Sequence, residues 1–526
     1  QPMSCELPPG FDPSSQEIGG SIVSLGLADD TLSGDVNVTG ILNVDATFSL
    51  IDAVVQVKQG PIIVERFDTL VLRNTLITVA VSGSPFTDVW EGIIIEPGGV
   101  LLMDSSTICY AKQAVLSEGS YTEAGTFQIS QSRFSNNYLG LKAENYSAGP
   151  HPGSIHATTF RGGALPFVGP GGATFGSVGV WIDSVTDNNT PWTRGLVMGD
   201  TAQAPNVFDS LDYGVYAINS SLYAQNNRFN DIQNINGFGA GYGIQSWTPT
   251  GSGLADVVDL ILGPLGVAPS GENTFTDCRI GVIAEAMDRV KINGNTFRRE
   301  DDYFRTGILI RQTSGEINIG NNTIDTFRQQ GIWLDDNDNN DAVAVYDNTI
   351  TSYETPPSLD NTAILIEQPT SSPSLSVAVN GNSITGPQRG IVLLNVESAF
   401  TPIRDNTIRV NWVNTGDPVA GIALFGVDSA LVEGNTIRSN CTSVPCINQD
   451  IFGIYTENSI RVVLRENRLD TVAYGALIVE TSTAGNANCN VFTDGGVGFG
   501  FQNLGTGAIY GPVYGIWGAP DTTTVS

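Results

Sequence analysis

Residues 292–311 read INGNTFRREDDYFRTGILIR. An Asn-Thr-Phe at 295–297 stands beside a burst of charge, and Gly307 then opens an aliphatic run. Whether the charge marks a reacting centre or only a loop on one turn of a repeat depends on whether the same frame occurs elsewhere in the chain.

It does. An asparagine followed by Thr, Ser, Arg or Val and then by an apolar residue occurs at Asn227, Asn273, Asn295, Asn322, Asn348, Asn382, Asn406, Asn435, Asn467 and Asn490. Successive steps of 22 to 46 residues suit a supersecondary unit repeated with loops of unequal length. A second mark lies between the asparagines, because Gly281, Gly307, Gly331, Gly390, Gly421, Gly453 and Gly475 each open a short apolar run, with Ala363 taking that place once. From this glycine to the next asparagine the count is 14 to 19 residues, whereas from asparagine to the next glycine it ranges from 8 to 18. One half-step is nearly constant and the other takes insertions.

Before each asparagine the chain alternates, as in VKING, INIGN and VAVYD, and period-2 alternation over four to six residues signals a strand. A repeat this short cannot bury its own apolar face. Coiling the chain, so that each strand pairs with its equivalent one turn later, solves that problem. Stacked coils would set Asn295, Asn322, Asn348, Asn382, Asn406 and Asn435 in a column bonded up and down the axis. Phe297, Ile324, Ile350, Ile384, Ile408 and Ile437 would then be buried. The asparagines are read as structural.

The GNTI and GI pattern resembles the right-handed parallel β-helix repeat of the pectate-lyase-like superfamily, over roughly residues 220–500. Upstream, VNVTGILNV at 36–44, FDTLVLRNTLITV at 67–79, WEGIIIEPGGVLLMDSSTICYA at 90–111, FQISQSRFSNNYLGLKAEN at 127–145 and VGVWIDS at 178–184 keep the same strand lengths. The segment from Trp90 is similar to early coils of secreted bacterial β-helix proteins, many of which leave the cell by the type IX pathway, although that pathway's sorting domain is not seen here. The fold implied is all-β, a right-handed single-stranded parallel β-helix solenoid with long lateral loops. Residues 1–34 form an N-terminal cap segment, 35–515 the β-helix, with lateral insertions at about 146–177 and 246–271, and 516–526 a tail. At about 26 residues per coil this gives roughly 17 coils, since length in a solenoid sets coil number.

Composition bears on partners and compartment. With 54 acidic against 24 basic side chains the formal charge is −30, which argues against nucleic acid or an anionic membrane surface. No apolar run reaches membrane-spanning length. Six cysteines form no metal-binding spacing; Cys441 and Cys446 are close enough in sequence to close a small disulfide loop, and Cys5, Cys109, Cys278 and Cys489 are too scattered to pair from sequence. The start at Gln1, without methionine or a hydrophobic leader, is expected of a processed, secreted or cell-surface protein.

Chemistry has few candidates. His151 and His156 are the only histidines and read as ordinary surface residues. Signature motifs of the polygalacturonase-like and alginate epimerase-like members are absent. Arg279, Arg289, Arg298, Arg299, Arg305, Arg311 and Arg328 crowd into 50 residues, interleaved with Asp288, Glu300, Asp301, Asp302, Glu316 and Asp325. These charges read either as a solvated ion-pair lattice or as a sugar site. In the second reading Arg298, Arg299 or Arg305 clamps a carboxylate or sulfate, Asp301 or Asp302 serves as acid or base, and Tyr303, Arg311 and Arg328 bind ligand. Asp336, Asp338, Asn340 and Asp341 in GIWLDDNDNNDAV have the ligand types of a calcium loop, and equally those of an ordinary Asn/Asp turn. No cofactor is required by the sequence, and calcium is the one metal that these hard oxygen ligands suit.

Three functions compete. The favoured one is an extracellular or cell-surface scaffold or adhesin displaying loops for binding or assembly, without catalysis. The others are a polysaccharide lyase or glycoside hydrolase, and a glycan-binding module without chemistry. Expected partners are a polysaccharide, another cell-surface protein or further copies of the chain.

Overall fold

A computed structural model describes residues 5, 7–12, 14, 16–79, 90–120, 123–146, 152–165, 173–185, 195–236, 241–249, 258–264, 271–300, 305–337, 342–352, 361–368, 376–411, 419–440, 451–479, 483–488, 490–493 and 497–502. Strands and turns account for all the regular structure among them. The chain is a right-handed parallel β-helix. From Ile62–Val64 onward each strand pairs in parallel with the third strand before or after it, so a coil has three strands, here assigned to faces A, B and C. Two compact units, residues 1–283 and 284–526, divide the chain.

In the second unit, face A is built from the glycine-led runs Thr306–Arg311, Gln330–Asp335, Thr362–Glu367, Arg389–Leu394, Val419–Phe425 and Ile451–Glu457. Face B carries the alternating segments before each asparagine, such as Ile317–Gly320, Val343–Tyr346 and Val377–Asn380. Face C follows the asparagine, as in Thr323–Phe327, Thr349–Ser352 and Ser383–Thr385. Each asparagine therefore sits at the corner from B to C.

That corner explains the most regular letters in the sequence. The residue before the asparagine is left-handed at every coil, with φ of 63° at Gly294, 55° at Asn321, 53° at Asp347, 68° at Gly381, 55° at Asp405 and 68° at Gly434. Gly, Asn and Asp tolerate this conformation best. The asparagine that follows points inward and bonds along the axis. Asn322 donates from its backbone N–H and from Nδ2 to Asn348 Oδ1, both at 3.0 Å, and Nδ2 also donates to the Ile292 carbonyl at 2.8 Å. Asn348 repeats this toward Asn382, Asn382 toward Asn406 and Asn406 toward Asn435. Two residues on, Phe297, Ile324, Ile350, Ile384, Ile408 and Ile437 stack in the interior, none more than 1% exposed.

Glycine on face A answers a close approach. A Cβ at Gly421 would lie 2.3 Å from Ile437 Cγ2 and 2.8 Å from the Gly453 carbonyl oxygen. The backbone of face A is pressed against the isoleucine column of face C, and only the smallest residues fit.

The first unit uses the same architecture with different letters. Its B-to-C corner is lined by Thr75, Ser106, Ser132 and Thr158 before asparagines take over at Asn206, Asn227 and Asn273. The Ser106 hydroxyl accepts from Thr75 N–H at 3.1 Å, and Ser132 accepts from Ser106 at 3.2 Å. Thr158 N–H donates to Asn206 Oδ1 at 2.9 Å, and Asn206 Nδ2 to Asn227 Oδ1 at 2.9 Å. Inside, Phe134, Phe160, Phe208, Phe229 and Phe275 stack in sequence with centroids 4.7–5.0 Å apart.

The structure corrects several boundaries. Within the segment read as an N-terminal cap, Glu17–Ser21 already pairs in parallel with Thr31–Val44. Inside the stretches read as lateral loops the chain returns to the coil, with Gly153–His156, Thr159–Arg161 and Asp259–Leu262 all serving as rungs. Strands of three or four residues are too short to show alternation in a Gly/Pro-rich setting. Cys5 and Cys109 are disulfide-bonded, with Cα atoms 5.8 Å apart, a pairing invisible in sequence because 104 residues separate them. Cys278 is a buried free thiol, and Cys441, Cys446 and Cys489 lie outside the described residues.

Candidate functional site

On face A the side chains alternate between the interior and the outer surface, and the outer rows of the two units carry the polar chemistry. In the second unit Ile308, Ile310, Ile332, Leu334, Ile364 and Ile366 face inward and are buried. Trp333 and Leu365 point outward, as do Arg311, Asp335 and Glu367 at the ends of their strands. Arg311, Asp335 and Glu367 occupy one register row on consecutive coils. Together with Glu285, Gln312, Asp336 and Gln368 they line a groove of about 350 Å³.

The groove is rich in acceptors. Arg311 Nε lies 3.1 Å from Asp335 Oδ2 but is out of line for a hydrogen bond to any acceptor, so charge rather than alignment holds that pair. The Arg311 guanidinium also covers Trp333, 5.3 Å from the ring centroid. Burial pushes the Asp335 carboxyl above the usual carboxylate range, with Arg311 pulling it down and Asp336 pushing it up. Glu367 is raised first by burial and then by Asp335. Gln368 is 2% exposed; its Nε2 donates to the Asn337 carbonyl at 3.2 Å, while its Oε1 has no partner. A buried acceptor without a donor is costly.

Further along the same face a second groove, of about 430 Å³, is lined by Gln330, Thr362, Leu365, Arg389, Val392, Leu394 and Phe425. It is largely apolar. Val392, Ala420, Ala423 and Phe452 form an outer cluster there, with Tyr455 and Tyr474 packed against it.

In the first unit the outer row of face A is aromatic. Lys142, Trp181 and Tyr216 are register partners on Leu139–Tyr146, Val178–Val185 and Tyr213–Ile218. Trp181 meets Tyr216 edge to face at 5.0 Å, and Tyr213 lies 5.2 Å from Tyr216 and 5.7 Å from Tyr242. Trp247 Nε1 donates to the Tyr216 hydroxyl at 3.1 Å. All five rings are half-buried. Trp181 Nε1 has no partner, and Lys142 Nζ stands 5.5 Å from the Trp181 centroid. Burial and the neighbouring tyrosines push the Tyr213 hydroxyl up to about 12, so it remains a donor at neutral pH. Glu118, Glu144 and Asp183 form the adjoining carboxylate row.

The charged residues singled out in sequence separate. Arg298 is exposed and ion-paired with Glu300 at 3.3 Å. Arg299 is half-buried, its backbone N–H bonded to Thr326 Oγ1 at 3.2 Å. Arg305 and Arg328 are exposed. Of the seven arginines, Arg311 alone lines the acidic groove. Asp301, Asp302 and Tyr303 lie outside the described residues, as do Asp338, Asn340 and Asp341 of the calcium candidate. Asp336 stands at the groove edge and accepts from Gln312 Nε2 at 3.2 Å. Among the described residues no three His, Cys, Asp or Glu side chains are grouped to hold a metal ion. Asp335, Glu367, Glu285, Trp333 and the aromatic row were not picked out by sequence reading.

Comparison with known proteins bears on the fold. A family profile described as a right handed beta helix region matches residues 358–510, and one described as periplasmic copper-binding protein (NosD) matches residues 268–399. No curated protein sequence matches. Solved structures similar to this chain include a mutant of the periplasmic alginate epimerase AlgG, 12% identical over 77% of each chain with a TM-score of 0.30. A mutant tailspike protein of E. coli bacteriophage HK620, in complex with a pentasaccharide, is 10% identical over 93% of this chain and 70% of its own, TM-score 0.27. The Streptococcus pneumoniae surface protein and adhesin PfbA is 10% identical over 88% and 90%, TM-score 0.19. The three-strand coil, the axial asparagine column and the profile match over residues 358–510 make this chain a right-handed parallel β-helix protein.

Proposed function

We propose that this protein is an adhesin-type glycan-binding β-helix that acts outside the cytoplasm and holds a saccharide chain against the outer surface of face A. One observation carries the reading: Trp181, Tyr213, Tyr216, Tyr242 and Trp247 occupy outward positions on successive coils, where nothing in the fold requires aromatic side chains. Rings repeated at the strand spacing of about 4.8 Å form a platform for the apolar faces of pyranose rings, and tyrosine hydroxyls at the rim bond sugar hydroxyls. The carboxylate row Glu118, Glu144 and Asp183 and the overall charge of −30 disfavour polyanionic glycans. The Cys5–Cys109 disulfide supports an oxidising compartment, periplasmic or extracellular.

The test is glycan-array and calorimetric binding with the full chain and with Trp181→Ala and Tyr216→Ala. Binding to neutral oligosaccharides, weakened about tenfold or more in each variant (~1.4 kcal/mol, the upper range for one aromatic contact), is expected. Binding unchanged in both variants, with their thermal unfolding intact, would remove the platform from the function.

A further inference from the structure

The acidic groove of the second unit has a composition that selects its ligand. Its polar side chains are mostly acceptors: the carboxylates of Glu285, Asp335, Asp336 and Glu367, beside the buried and unpartnered Oε1 of Gln368. Among the described residues of the lining Arg311 is the single cation, ion-paired with Asp335 and placed over the Trp333 ring. A neutral hydroxyl donates one proton per oxygen, whereas an ammonium donates three and carries the opposite charge. Half-burial strengthens that attraction relative to open water. The Asp335 and Glu367 carboxyls are raised by desolvation and then by Asp336 and Asp335 respectively, so a bound cation relieves the repulsion among them. Among the described residues these carboxylates are not grouped as metal ligands are.

We propose that this groove is a subsite for an amine-bearing sugar, with the ammonium of a de-N-acetylated hexosamine seated among Asp335, Glu367 and Gln368 Oε1. The inference rests on the glycan-binding reading and adds to it the ligand's charge. The ammonium pairs with Glu367 and Asp335, and a small turn of the buried Gln368 amide toward it gives Oε1 its missing donor, while the pyranose lies toward Trp333 and Leu365 on the outer row. Uronate and sulfated glycans are rejected by the same carboxylates.

Titration calorimetry of the full chain with glucosamine hexamer, glucose hexamer, galacturonate hexamer and a lysine pentapeptide tests this, each repeated with Glu367→Gln, Gln368→Leu and Trp181→Ala. The expected result is that the glucosamine oligomer binds about tenfold or more tightly than the glucose oligomer. That advantage disappears in Glu367→Gln, shrinks in Gln368→Leu, survives in Trp181→Ala, and falls as salt rises. Equal affinity for glucosamine and glucose oligomers overturns the subsite and leaves the glycan reading standing. Failure of every oligosaccharide to bind sinks both. Lysine peptide binding as tightly as the glucosamine oligomer, with the same loss in Glu367→Gln, shows a site for cationic peptide and overturns the assignment to sugar. A glucosamine preference that persists in Glu367→Gln and Gln368→Leu, both folded by circular dichroism, places the amine elsewhere and overturns it too.

Discussion

Asp335 and Glu367 are register partners on adjacent coils, and burial pushes both carboxyls above their usual range. An acid whose folded pKa is raised contributes stability that is fully present below the unfolded value and is lost as pH rises through the folded value. The pair therefore strains the fold at neutral pH. Glu367→Gln is expected to raise the stability at neutral pH slightly, by less than about 1 kcal/mol because solvent screens these half-exposed groups. The gain should vanish as pH falls into the carboxylate range, and a thermal-melt series from acid to neutral pH checks it.

The asparagine column makes a sharper demand. Removing the Asn348 amide strands the Asn322 backbone N–H, takes one of two acceptors from Asn322 Nδ2 and removes the side-chain donor to the Ile319 carbonyl. Asn348→Ala should cost about 2–4 kcal/mol, the sum of a lost bond and buried groups left unpaired. Because solenoid coils are coupled mainly to their neighbours, hydrogen exchange should accelerate most in residues 317–352 and 377–385. Uniform acceleration over the second unit would show instead that the column acts as one cooperative element.

Gly421 tests the packing of face A on face C. Gly421→Val places carbon where Ile437 Cγ2 and the Gly453 carbonyl already stand, and should cost about 3 kcal/mol or more. Ala363 occupies the equivalent place one coil after Gly331 and is fully buried, so Ala363→Gly should cost no more than about 1 kcal/mol. Denaturant titration of both variants checks the contrast.

The Cys5–Cys109 disulfide ties the first described residue to a strand of face C. In the chain-entropy picture a loop of this length is worth about 4–5 kcal/mol, so Cys109→Ser or reduction should lower the melting temperature of the first unit. The buried Cys278 thiol, pushed up by burial, should resist alkylation in the native state and become labelled on unfolding.

Arg298 and Glu300, ion-paired and exposed, supply a control. Arg298→Ala should change stability by less than about 1 kcal/mol and leave glycan binding untouched. A loss of binding would return the opening cluster to consideration as a site.

The repeat letters determined the fold because they state local requirements: a left-handed residue before each corner, an amide that must bond along the axis, an apolar residue that must be buried, and a glycine where two faces press together. Such requirements are met within one coil and its neighbour, so they survive as a pattern in the chain. They faded upstream because Thr75, Ser106, Ser132 and Thr158 meet the same corner requirement with hydroxyls, and two chemistries for one role blur a pattern. The groove left a fainter trace, since Glu285, Arg311, Asp335 and Glu367 each stand four places after the residue that opens its run. Alternation sends that position outward, but only coiling brings residues 24 and 32 positions apart to within one strand spacing. The sequence by itself determined the coil and its ladder, while the tertiary structure decided which charges meet, because an exposed row is under no packing constraint that would mark its residues in the chain.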